Sequence, residues 1–117
     1  MRTPEGQSKH DSVVAQRARE LTIDGDRVCA DVEGFQKPAE ILGYVPDIVA
    51  TGQSNLLVEV ETADSFSDPH TQRQLQAFDH VPNYRLEILI PESIYFSAIS
   101  LYMTNWGITV DSWRTYR

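Results

Sequence analysis

A predicted β-hairpin is encoded in residues 46–62, PDIVATGQSNLLVEVET. Residues 47–50 and 56–62 are rich in valine, isoleucine and leucine, a composition typical of buried strands. Residues 51–55 between them, TGQSN, supply the glycine and the short polar side chains of a turn. The two strands therefore pair most simply as an antiparallel hairpin, and the rest of the fold is arranged around it.

Three acidic side chains are expected to converge on this hairpin. Side chains alternate along a strand, so Glu59 and Glu61 share one face while Val58 and Val60 face the core. Asp47 begins the neighbouring strand and lies close to Glu59 across the hairpin. Converging carboxylates repel one another, and a cation or a proton relieves that repulsion. Oxygen ligands favour Mg²⁺ or Mn²⁺, which polarise phosphoryl groups and activate water. The cluster therefore indicates phosphodiester hydrolysis; the alternative is a solvated strand face on an acidic protein.

The remaining sequence predicts one α/β domain over residues 8–117, preceded by a flexible tail over residues 1–7. Ser8 and the acid three residues later match a capping box, which predicts the start of the first helix. Hydrophobic periodicity, proline and glycine set the bounds of the other predicted elements. The predicted elements are a helix over 9–23, strands over 27–34, 47–50 and 56–62, a helix over 69–80, a strand over 85–90, a helix over 93–106 and a strand over 108–113. This order, α-β-β-β-α-β-α-β, predicts a mixed central sheet flanked by helices.

Composition narrows the class of protein. The chain has 117 residues, 41% hydrophobic and 23% charged, which suits one globular domain. No apolar run is long enough to span a bilayer, so we expect a cytoplasmic protein without membrane contact. The single cysteine, Cys29, has no partner for a disulfide or a zinc motif. The net charge of −7 argues against a protein that coats nucleic acid through phosphate neutralisation.

The hairpin motif resembles that of the PD-(D/E)XK nuclease superfamily, whose restriction-endonuclease-like fold is shared by archaeal Holliday-junction resolvases. The resemblance rests on Pro46-Asp47, on Glu59-Val60-Glu61 and on the order of the elements. It implies that the Asp47 and Glu59 carboxylates and the Val60 carbonyl hold Mg²⁺ or Mn²⁺. It also implies a DNA substrate, duplex or branched, and a homodimer that presents two sites to two strands.

One position departs from the family pattern. The last residue of the second motif is usually a lysine, which orients water and stabilises developing negative charge; here it is Glu61. A carboxylate cannot stabilise negative charge, but it can act as a general base or bind a second metal ion. Alternatively the chain is a catalytically inactive nuclease-fold interaction module. A third, weaker interpretation is a nuclease that acts on RNA. Lys37 in the preceding loop is a candidate replacement for the lysine.

Two further residues are assigned to the site through the resemblance, which implies a polar residue on the inward face of the first helix and a glutamine on the helix after the acidic strand. His10 shares the apolar face of the first helix with Val14 and Ala18, and neighbouring Asp11 is a second candidate. Gln74 precedes Phe78 by one helical turn and so faces the sheet. The alternatives are helix capping for His10 and pairing with backbone for Gln74.

The third predicted helix is apolar nearly all round. Its side chains exceed what one core-facing stripe can bury, and we expect part of the helix to form a dimer contact. The residues concerned are Tyr95, Ile99, Tyr102 and Met103.

Overall fold

A five-stranded mixed sheet lies at the centre of the protein, with helices on both of its faces. The computed structural model describes residues 2–117; Met1 of the predicted tail lies outside the described residues. The elements are α1 (Pro4–Ile23), β1 (Arg27–Ala30), β2 (Ile48–Thr51), β3 (Asn55–Val60), α2 (Pro69–Asp79), β4 (Arg85–Pro91), α3 (Tyr95–Ile99) and β5 (Ser112–Tyr116). The predicted α/β class, element order and mixed sheet are confirmed.

The strands lie in the order β1-β2-β3-β4-β5. The pairs β1–β2 and β2–β3 are antiparallel, and Ile48 lies opposite Val58, which confirms the predicted hairpin. The pairs β3–β4 and β4–β5 are parallel. A parallel pair needs a crossover connection, and the segments that contain α2 and α3 provide the two crossovers. Both crossover segments pack on one face of the sheet, and α1 covers the opposite face.

Each face of β3 packs into its own hydrophobic core. Val58 and Val60 belong to the core under α1, with Val14 and Ala18 of that helix. Leu57 belongs to the opposite core, together with Leu75 and Phe78 of α2. Glu59 lies on this second face and is only 2% exposed. The acidic face of the hairpin is therefore buried rather than solvated.

The first helix begins earlier than the sequence pattern at Ser8 predicts. The Thr3 hydroxyl accepts a hydrogen bond from the Gly6 amide at 3.0 Å, and Pro4 occupies the first helical position. Proline is favoured there because its missing N–H has no helical partner in any case. The predicted tail over residues 1–7 is therefore wrong from Pro4 onward. Thr3-Pro4 is itself a helix-start signal in the sequence.

Two strands have different bounds from those predicted. Strand β1 ends at Ala30, where the chain turns back through Gly34, whose φ is +93°, so that the Ala30 amide donates to the Gln36 carbonyl at 2.9 Å. Strand β5 begins only at Ser112. Residues 108–111 approach it outside the ladder, and Asp111 there exchanges two hydrogen bonds with Leu86, through its amide and through its carboxylate.

The third helical segment is three short helices rather than one. A 3₁₀ turn, Glu92–Ile94, precedes α3, and a π-helical turn, Ser100–Asn105, follows it. Tyr102 is fully buried within the protomer and stacks on Trp106 and Trp113, so its predicted place in a dimer contact is wrong. Of the apolar side chains in this segment, the exposed ones are Phe96 at 82% and Met103 at 42%. No helix within residues 2–117 is long and apolar enough to cross a membrane.

Candidate functional site

An acidic cavity of about 240 Å³ lies at the carboxyl end of β3, between the start of α1 and the start of α2. The carboxyl ends of parallel strands are where open α/β sheets commonly bind ligands. Four of the five predicted catalytic residues line it, and the fifth, His10, contacts one of them. We call this the acidic cavity; its lining residues are Arg2, Val45, Asp47, Glu59, Glu61, Ser65, Asp68, His70, Thr71 and Gln74.

Asp47 and Glu59 are linked by the backbone of the hairpin. The Asp47 amide donates to Glu59 Oε2 at 2.7 Å, and the Val60 amide donates to Asp47 Oδ2 at 2.8 Å. Asp47 precedes β2 directly, so its amide and side chain are both free of the β2 ladder and turn toward β3. The predicted approach of the two acids across the hairpin is found, and each acid fixes the backbone of the other's strand.

His10 reaches the cluster from α1. Its Nε2 lies 3.0 Å from Asp47 Oδ2 and its Nδ1 lies 2.9 Å from Asp11 Oδ1, while the ring is only 5% exposed. Burial lowers the pKa of His10, but the hydrogen bond to Asp47 and its charge raise the pKa by more, so the net pKa lies above the usual value. With a carboxylate at each ring nitrogen, the charged imidazolium is favoured. Asp11 is half-exposed and contacts the cluster only through His10.

Glu59 is the most deeply buried acid of the cavity. Gln74 donates from Nε2 to Glu59 Oε1, as the predicted sheet-facing position of this glutamine requires. Burial raises the pKa of Glu59 well above its usual value, and the negative charges of Asp47 and Glu61 raise it further. An amide donor holds the carboxylate in place without neutralising it. The cluster therefore keeps an excess of negative charge that favours a proton or a cation.

Glu61 lies directly after β3 and is held by hydroxyl groups. Its Oε1 accepts from the Ser65 hydroxyl at 2.9 Å and from the Thr71 hydroxyl at 3.4 Å. Burial, followed by the charge of Asp47, raises the pKa of Glu61 to about 7. This value is close to neutral pH, where a carboxylate can both accept and return a proton.

Arg2 is a charged residue of the acidic cavity that the sequence interpretation missed, as it missed the hydroxyl partners of Glu61. Its Nη2 donates to the Val60 carbonyl at 3.0 Å and lies 3.7 Å from Glu61 Oε1. Lys37, the basic residue considered from the sequence, is exposed and does not line the cavity. The one signal for Arg2 is its place just before the Thr3-Pro4 helix start, which brings it to the same end of α1 as His10.

The predicted metal ligands do not form a ready cluster of side chains. Within residues 2–117, no group of three or more His, Cys, Asp or Glu side chains is arranged to hold a metal ion. Asp47 Oδ2 and both carboxylate oxygens of Glu59 already take part in hydrogen bonds, and the Val60 carbonyl accepts one from Arg2. The set implied by the resemblance has only two acidic side chains and one carbonyl.

Comparisons with known proteins leave the family of the chain open. No protein-family model matches it, and neither a curated protein nor a solved structure gives a match.

Proposed function

We propose that this protein hydrolyses phosphodiester bonds in DNA with Mg²⁺ or Mn²⁺, through a restriction-endonuclease-like fold with a site of the PD-(D/E)XK type. The observation that carries the proposal is the convergence of Asp47, Glu59, Glu61, His10 and Gln74 at one cavity. These residues come from α1, both strands of the hairpin and α2. The sequence motif predicts that these residues meet, and their proximity at one cavity supports the proposal.

The cavity offers oxygen donors of the kind that a divalent cation binds, although within residues 2–117 these side chains are not grouped around one ion position. Asp47 and Glu59 would hold the ion through carboxylate oxygens, and Val60 through its carbonyl, all of which are hard oxygen donors. Burial raises the pKa of Glu59, and the negative charges of Asp47 and Glu61 raise it further, so the site favours a proton or a cation. A bound ion would polarise a phosphoryl oxygen and lower the pKa of a water ligand.

The side chains around the cavity have separate tasks in this proposal. Glu61 accepts a proton from the attacking water, and its hydroxyl partners Ser65 and Thr71 fix its orientation. Gln74 fixes Glu59, and His10 fixes Asp47. His10 and Gln74 are therefore positioning residues in this proposal, because each acts through the acid that it contacts.

A basic groove between α1 and β5 supplies a place for the phosphate backbone. Its volume is about 460 Å³, and its lining holds four basic side chains and two acidic ones, Glu20 and Glu92, in a chain with a net charge of −7. Several of them pair with acids, as Arg117 does with Glu92, so the groove is only moderately basic. A local patch of this kind suits one strand of DNA better than a whole duplex. The basic residues are Lys9, Arg17, Arg114 and Arg117.

We further propose a cytoplasmic homodimer. One small domain covers little of a duplex, and a second copy places a second site on the other strand. The contact proposed is the exposed apolar pair Phe96 and Met103. Light scattering at tens of micromolar tests this: a dimer that Phe96→Asp converts to monomer is expected, and a monomeric parent contradicts it.

The activity is tested by incubating the protein with duplex, single-stranded, flap and four-way-junction DNA in Mg²⁺ or Mn²⁺. We expect cleavage of one or more DNA substrates by the parent, loss of cleavage in Asp47→Asn, and full activity in Glu33→Gln, which changes an exposed acid far from the cavity. A parallel RNA substrate separates the DNA proposal from an RNA-directed nuclease. Cleavage that persists in Asp47→Asn would come from a contaminant.

The alternative function is an inactive interaction module that keeps the fold. It is favoured by one observation, the Arg2 guanidinium on the Val60 carbonyl, which already supplies a positive charge at the cavity. Calorimetry with Mn²⁺ at millimolar concentration separates the two functions. Heat of binding that depends on Asp47 supports the nuclease, and its absence leaves the module.

A further inference from the structure

Arg2 is the one lysine or arginine among the described residues that line the acidic cavity. Its Nη2 is 3.0 Å from the Val60 carbonyl oxygen and 3.7 Å from Glu61 Oε1. Its Nε is buried without a hydrogen-bond partner within residues 2–117. A guanidinium stays charged under all ordinary conditions, so the cavity holds a permanent internal cation.

The position of Arg2 conflicts with the proposed metal ligands. A Mg²⁺ or Mn²⁺ ion binds oxygen at roughly 2.1 Å. If the same carbonyl bound such an ion while Arg2 stayed 3.0 Å away, two positive charges would lie within a few ångströms of each other in a largely buried site. The ion and the guanidinium therefore exclude one another at the Val60 carbonyl.

Arg2 is also placed where it can leave at small structural cost. It precedes α1, which begins at Pro4, so its displacement does not unwind the helix. Beside the Arg2 contacts, the segment is held by a 2.7 Å hydrogen bond from the Thr3 amide to Asp64. Thr3 caps α1 and keeps the helix start in place while the Arg2 side chain moves.

We propose that Arg2 is a tethered counter-ion that competes with the divalent cation for the acidic cavity, so that cation binding displaces Arg2 from the Val60 carbonyl. This inference rests on the proposed metal-dependent function and adds its regulation. Arg2 neutralises the carboxylates when the ion is absent, and the free energy of that contact is subtracted from the affinity for the ion. The displaced guanidinium remains beside the cavity as a group able to bind a phosphate oxygen.

Calorimetric titration with MnCl₂ tests the competition in the full chain. Arg2→Ala is expected to bind Mn²⁺ on the order of tenfold more tightly than the parent, within the usual range of coupling between two sites. Arg2→Lys keeps a competing cation and is expected to stay within about threefold of the parent. Arg19→Ala removes an exposed arginine of α1 away from the cavity and is the matched control, with unchanged affinity.

A second measurement follows Arg2 directly in the parent. Because Nε is buried, its N–H should give a protected NMR signal without metal, identified by its loss in Arg2→Lys. Saturating Mg²⁺ should expose that N–H to solvent exchange. Mn²⁺ binding of equal strength in the parent and Arg2→Ala, or an N–H signal that stays protected with Mg²⁺ bound, overturns the inference alone. The absence of Mn²⁺ binding in the parent and in every variant overturns both the inference and the proposed function.

Discussion

Two buried glutamates on neighbouring parallel strands have opposite surroundings. Glu87 of β4 lies opposite Val58 of β3, one residue from the level of Glu59, and both glutamates are 2% exposed. Glu87 receives a bidentate pair from Arg17, at 2.8 and 3.0 Å. Glu59 receives only an amide of Asp47 and the amide of Gln74, and it faces two further acids.

The comparison separates a structural charge from a functional one. A bidentate arginine compensates most of what burial of a carboxylate costs, so Glu87 is suited to hold α1 on the sheet. Glu59, by contrast, is held by neutral amide donors, which fix its position but do not balance its charge. Such an arrangement lowers stability, and proteins retain it where a ligand restores the balance.

The largest effect is expected on catalysis when Glu61 is removed. Glu61→Ala leaves Asp47, Glu59 and the Val60 carbonyl in place, so Mn²⁺ should still bind. Cleavage of DNA should fall by roughly 10²–10⁴-fold, as for loss of a general base. Single-turnover cleavage and calorimetry on the same sample measure the two effects, with Glu33→Ala as the control. An unchanged cleavage rate would remove Glu61 from the proposed mechanism.

The second effect is a loss of stability when the Arg17–Glu87 pair is broken. Arg17→Ala leaves Glu87 buried without its bidentate partner, and we expect the free energy of unfolding to fall by about 3–5 kcal/mol. Arg19→Ala, two residues away on the exposed face of α1, should change it by less than about 0.5 kcal/mol. Urea denaturation monitored by circular dichroism gives both values. If the free energy of unfolding fell equally little in both variants, the Arg17–Glu87 pair would not be needed for the stability of the fold.

Whether a contact in these two regions can be predicted from the sequence depends on how far apart the two contacting residues lie along the chain. Asp47 and Glu59 meet within one hairpin, so strand periodicity was enough to predict their approach. Arg17 and Glu87 are 70 residues apart, and Glu87 directly precedes the apolar run 88–90 of a strand predicted to be covered on both faces. Their pairing depends on how α1 crosses the sheet, which periodicity does not determine.

The position of Arg2 was missed for the same reason. It lies 58 residues from Val60, and its approach depends on where α1 begins and on which strands that helix covers. His10 was found because one helical stripe places it over the sheet, although the stripe does not say which acid it meets. The sequence thus indicates the members that lie on or directly beside the predicted strands and helices, and it misses Arg2, which lies in the predicted tail.

The third prediction is a pH dependence of stability in the metal-free protein. Glu61 has a pKa raised from 4.5 to about 7, and the pKa values of Glu59 and His10 are also raised in the folded state. Between the pKa of each group in the unfolded state and its raised pKa in the folded state, the folded protein binds more protons. The free energy of unfolding therefore falls as the pH rises through this range. Glu61 alone contributes a loss of about 3 kcal/mol between pH 4.5 and pH 7.

Urea denaturation at several pH values measures this dependence. Glu61→Gln removes one titrating group, so its stability should change less with pH and should exceed that of the parent at pH 8. Glu33→Gln, on an exposed loop, should follow the parent at every pH. A parent whose stability increases from pH 5 to pH 8 would show that the cavity acids are balanced, as Glu87 is, and the contrast between the two regions would disappear.

The smallest effect on stability is expected for Asp47→Asn, because two changes oppose each other. The new amide oxygen can still accept the Val60 N–H, while loss of the charge relieves repulsion of Glu59 and removes the attraction for His10. We expect the free energy of unfolding without metal to stay within about 1 kcal/mol of the parent or to rise. Affinity for Mn²⁺ should nevertheless fall by about tenfold or more, since even outer partners of a metal contribute that much. Asp31→Asn, an exposed acid beside the hairpin, is the control. A destabilisation by more than about 2 kcal/mol would place Asp47 with Glu87 among the charges that hold the fold together, because only a charge already balanced in the folded state is costly to remove.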